Sequence, residues 1–183
     1  VNFPDVKPGK RTTPVGIVGV NIFLSSGTIS IGNSATPSVI AASASNTGSD
    51  AVVIINSDAT ITLTSLDINQ AGTMPSEDGI AISDDNNVGL VTINGTTTID
   101  TVGGRGILVQ GSNVDISGVT IGASSAPGLN GLWIQSSNNA ITVSLDNITV
   151  ADATEVGIEV LRTGAGTVTL TSFLDNTVTN AGQ

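Results

Sequence analysis

The sequence predicts an all-β chain wound as a right-handed parallel β-helix, a solenoid of about six three-stranded coils. Three observations predict it. A small residue followed by an alternating apolar strand occurs at Ala51–Ile55, Gly79–Ser83, Gly106–Gln110, Gly131–Gln135 and Gly157–Leu161, with start points 28, 27, 25 and 26 residues apart. Two further short strands follow each of these at nearly constant offsets. No stretch holds the three-and-four apolar spacing of a helix.

Residues 1–14 carry three prolines and most of the basic charge, Lys7, Lys10 and Arg11, and read as an extended lead-in. Residues 15–183 form one β-helix domain, expected to be a segment of a longer solenoid. A less regular first coil fits Val20–Phe23, Thr28–Ile31 and Ser38–Ile40. In the later coils the second strands are Thr60–Thr64, Val91–Ile93, Val114–Ile116, Ile141–Val143 and Thr167–Thr171. The third strands are Leu66–Ile68, Thr98–Asp100, Val119–Ile121, Ile148–Val150 and Asn176–Val178.

A strand this short has one apolar face and cannot close a core alone, so each must pair with its equivalent one turn on. Stacking turns alternation into columns. The first wall then has Val52, Ile80, Ile107, Leu132 and Ile158 inside, with Ile54, Ile82, Val109, Ile134 and Val160 beside them. The second has Ile61, Val91, Val114, Ile141 and Val168. No charge falls in any column, as a dry interior requires. An antiparallel sandwich also yields short alternating strands, but it gives no reason for triplets to recur at 25–28 residues.

Composition narrows the function. Fifteen Asp and Glu against five Lys and Arg give a net charge of −10, and no basic cluster lies beyond the lead-in, so nucleic acid is excluded as a partner. No apolar stretch is long enough to span a bilayer. With no His, Tyr or Cys, imidazole catalysis, a Ser-His-Asp triad, thiolate metal sites and disulfides are all unavailable.

A polysaccharide lyase or glycosidase on a β-helix would need carboxylates facing each other across a cleft, or a carboxylate with an arginine. Glu77-Asp78, Asp84-Asp85, Arg105 and Arg162 are the candidates. Arg105 precedes a first strand and Arg162 follows one, which separates them, and only Trp133 could serve as an aromatic sugar platform. The chain is therefore read as non-catalytic, with that enzyme class as the alternative. Asp84 and Asp85, followed by Asn86 and Asn87, are hard-oxygen candidates for calcium, the one cofactor the sequence allows for.

Two outward rows invite contact. On the first wall Val53, Ala81, Leu108 and Trp133 form an apolar stripe ending at Glu159, read as a binding surface or as a face covered by the Asn69–Glu77 excursion. On the second, Thr62, Thr92, Asp115, Thr142 and Thr169 form a threonine row of the kind ice-binding proteins use, interrupted at Asp115.

The turns Leu66–Gly72, Leu145–Val150 and Phe173–Gly182 resemble the coils of autotransporter passenger domains, the secreted part of type V secretion proteins of Gram-negative bacteria. Phe173-Leu-Asp-Asn176 is also similar to the Phe-x-x-Asn repeat of polymorphic outer membrane proteins. The resemblance covers residues 15–183 and implies an extracellular or cell-surface rod acting in adhesion or structural display. Its expected partners are a host or neighbouring-cell surface protein or glycan, or another copy of itself.

Overall fold

The computed structural model describes residues 19–40, 50–71, 74–83 and 89–182. Among them the chain is strand and turn throughout, folded as a parallel β-solenoid whose strands build three six-stranded walls. The first wall stacks β1 (Val20–Phe23), β4 (Val52–Ile55), β7 (Ile80–Ser83), β10 (Ile107–Gln110), β13 (Leu132–Ser136) and β16 (Ile158–Arg162). The second stacks β2 (Thr28–Gly32), β5 (Thr60–Thr64), β8 (Leu90–Asn94), β11 (Asn113–Ser117), β14 (Ala140–Asp146) and β17 (Thr167–Leu174). The third stacks β3 (Ser38–Ile40), β6 (Leu66–Ala71), β9 (Thr97–Val102), β12 (Val119–Ile121), β15 (Thr149–Ala151) and β18 (Thr177–Thr179). The lead-in expected over residues 1–14 lies outside the described residues.

Both first-wall columns stand as the alternation requires: Val52, Ile80, Ile107, Leu132 and Ile158 are in register, and so are Ile54, Ile82, Val109, Ile134 and Val160. β-Branched residues dominate because they fit a pleated, half-buried surface. From Val52 to Ile134 these columns are buried. A third-wall column of Ile40, Ile68, Ile99, Ile121, Val150 and Val178 faces them.

That third-wall column explains the small residue before each first strand. A Cβ on Gly79 would come within 2.6 Å of Ile99 Cγ2, and one on Gly106 within 2.5 Å of Ile121 Cγ2. Ala51, fully buried, is the one such residue among coils two to six that carries a Cβ.

The second wall differs from the sequence expectation at one coil. Val114 pairs with Val143, and Ile141 with Val168. Alternation alone cannot separate two registers that differ by two residues, because both put apolar side chains inside. The corner decides. Ser65, Gly95, Gly118, Asn147 and Asp175, one per coil, take positive φ of 51°, 74°, 66°, 54° and 54° to swing the chain into the third wall. Four residues before each of the first four come Ile61, Val91, Val114 and Val143, which is the observed column.

The threonine row changes with it. In register along the second wall are Ser30, Thr62, Thr92, Asp115, Ser144 and Ser172, so Thr142 and Thr169 stand outside that row. The uninterrupted row lies on the third wall: Thr98, Thr120, Thr149 and Thr177.

In the last coil the inward residues Leu170, Phe173 and Val178 are about half exposed, at 47%, 50% and 45%. Thr171 interrupts that coil's ladder as a bulge, since Val143 pairs with Leu170 while Ser144 pairs with Ser172.

Candidate functional site

The residue preceding each small residue also forms a column. Ala51, Gly79, Gly106 and Gly131 donate their backbone N–H to the carbonyls of Asp78, Arg105, Asn130 and Val156, which stacks Asp50, Asp78, Arg105, Asn130 and Val156 along one corner. Two acids, a guanidinium and an amide therefore line the edge of the first wall. They border the outward row of Val53, Ala81, Leu108, Trp133 and Glu159.

The acids hold the corner together. Asp50 Oδ1 accepts the Asp78 N–H at 2.6 Å, and Asp78 Oδ1 accepts the Arg105 N–H at 2.6 Å. Arg105 Nη1 lies 3.8 Å from the same Asp78 oxygen. Asp78 is only 3% exposed, and burial pushes its carboxyl up to about 6 against the lowering effect of the Arg105 N–H bond and guanidinium. Burial also raises Asp50, with the Glu77 charge adding to it. Loss of hydration thus outweighs the nearby positive charge.

From this corner Arg105 reaches one coil on. Its Cζ lies 4.4 Å from the centroid of the Trp133 ring, a cation–π contact. Its Nε is buried and without a hydrogen-bond partner among the described residues. Beside them Asn130 Nδ2 donates to Glu159 Oε2 at 3.1 Å. The neighbouring outward row adds Gln110 and Gln135, the latter donating to Thr163 Oγ1 at 2.7 Å. Indole, guanidinium and amides on one flat face can hydrogen-bond and stack a polar ligand.

The stripe expected from Val53 to Trp133 is shorter than the sequence suggests. Val53 and Ala81 are 7% and 8% exposed, whereas Leu108 and Trp133 are half-buried. The small Ala81 stands between the taller Val53 and Leu108 in the row, and the solvent-facing part of the stripe is its Leu108–Trp133 end. The expected Asn69–Glu77 excursion is smaller too: Asn69 to Ala71 continue β6, and Glu77 closes a turn on Met74, donating its N–H to the Met74 carbonyl and accepting the Met74 N–H.

Asp84 and Asp85, the calcium candidates, lie outside the described residues. Arg162 is far along the chain from the Asp78 corner, exposed beside Val160 and Leu170 in a shallow groove of about 520 Å³ that no carboxylate lines. The 25-residue step that aligns Gly106 with Gly131 sets Arg105 and Trp133 one coil apart, but spacing does not show that the side chain of one reaches the ring of the other. No helix among the described residues is long and apolar enough to cross a membrane. The fold is that of a parallel β-solenoid; no family model, no curated protein and no solved structure matches the chain.

Proposed function

We propose that this chain is a non-catalytic β-helical rod, exported to a bacterial surface or secreted, that binds a protein or glycan partner through the first-wall face around Trp133. The observation that carries the reading is the convergence of Leu108, Trp133, Arg105, Gln110 and Gln135 on one flat, part-exposed face. The pattern resemblance to autotransporter passenger domains supports the setting, adhesion or structural display. The test is binding of the immobilised chain to host-cell surfaces and to a glycan panel. Trp133→Ala should abolish it and Thr92→Lys, on another wall, should leave it intact; equal loss in both variants, or none in either, rejects the face.

One observation favours a second reading, a polysaccharide lyase or glycosidase. Asp50, Asp78 and Arg105 meet in one corner, the grouping of acids and base that such chemistry needs. Each acid already spends an oxygen on a backbone N–H, and Asp78 is enclosed, which weighs against it as a proton carrier to a polymer. Release of new chain ends from a polysaccharide panel, abolished by Asp78→Asn, would establish the enzyme.

A further inference from the structure

Arg105 joins two features that are otherwise separate, the enclosed carboxylate of Asp78 and the part-exposed indole of Trp133. Its backbone N–H and its Nη1 both face Asp78 Oδ1, at 2.6 Å and 3.8 Å, while its Cζ sits 4.4 Å above the indole. With Nε unpartnered among the described residues, the guanidinium is positioned by this one carboxylate and the ring. We propose that Arg105 is an acid-releasable cover on Trp133: the ionised Asp78 holds the guanidinium over the indole, and protonation of Asp78 frees it and bares the ring to a partner.

The charged groups around Asp78 among the described residues are Asp50 in the preceding coil, Glu77 beside it and Arg105 in the next, with Glu159 adjoining Trp133. The Asp50 charge favours taking up the proton, and Arg105 opposes it through its N–H bond and its guanidinium. Burial decides the balance, so the change falls in mild acid rather than near pH 4. Once Asp78 is neutral, its oxygen can still accept the Arg105 N–H, so the corner keeps its backbone bond while the ionic hold is lost. The idea rests on the reading of Trp133 as a binding residue only for its purpose; the motion itself needs no partner.

Trp133 is the only tryptophan, and the chain has no tyrosine, so its fluorescence reports this site alone. Acrylamide quenching should rise roughly twofold between neutral pH and about pH 5, as an acid of this strength passes from about a tenth to about nine tenths protonated. Asp78→Asn should quench at the high level at every pH, and Arg105→Gln likewise, with circular dichroism confirming the fold. Asp50→Asn should retain the transition. A flat wild-type profile, a wild-type transition kept in Asp78→Asn, or a low neutral-pH value in Arg105→Gln would each overturn the cover. Partner binding lost in Trp133→Ala with a flat quenching profile would reject the cover and keep the binding face; the reverse would reject the face and keep the cover.

Discussion

Gly106 lies against Ile121 so closely that a Cβ would stand 2.5 Å from Ile121 Cγ2 and 2.6 Å from the Gly131 carbonyl oxygen. The second contact is backbone and cannot rotate away. Gly106→Ala is expected to cost about 1–3 kcal/mol, the usual penalty of overpacking a closed core. Chemical denaturation measures it, and a loss under about 0.5 kcal/mol would show that the coil can move to admit a Cβ at this position.

Asp78 gives stability a definite pH dependence. Its folded pKa of about 6 lies above the ordinary 3.8, so the folded chain binds the proton more tightly than the unfolded one. The resulting stabilisation is complete below the unfolded value and disappears as pH rises through about 6. Between those limits the wild type should lose up to about 3 kcal/mol relative to Asp78→Asn, which cannot titrate there. Denaturation of both proteins across that range isolates the difference from the other acids, and parallel curves would refute the assignment.

The coil and its inward residues were legible in the sequence because alternation and a fixed period act on every coil. The first-wall columns, Ile80 under Ile107 under Leu132, follow from those two facts alone. Register on the second wall needed a third fact, the left-handed corner. Ser65 and Asp175 share that conformation with Gly95 and Gly118, and no residue type common to all of them marks it in the sequence. The site was half legible for a similar reason. Trp133 and Arg105 each stood out by rarity, but the reach of one long side chain across a coil is a property of the packed corner, as is the burial of Val53.

Asn176 brackets the preceding corner. Its Oδ1 accepts the Ile148 N–H at 2.9 Å and its Nδ2 donates to the Leu145 carbonyl at 2.8 Å, serving two groups of the chain on either side of Asn147. Asn176→Leu keeps a side chain of similar length but leaves both groups unpaired. It should cost about 1–3 kcal/mol. Asn176→Asp keeps the acceptor and places an oxygen against the Leu145 carbonyl, so it should recover stability as pH is lowered and the carboxyl becomes a donor. Thermal melts of the two variants across the acid range would show it; a pH-independent Asp variant would break the bracket model.

Thr171 is the extra residue of the last ladder, and its Oγ1 donates to the Val143 carbonyl at 3.0 Å. A bulge bends the strand that carries it, and here its extra residue is tied by its hydroxyl to the coil before. Thr171→Val keeps the β-branched shape and removes that donor from the Val143 carbonyl. It should cost about 0.5–1.5 kcal/mol in chemical denaturation. An unchanged midpoint would mean that the bulge forms without help from the hydroxyl.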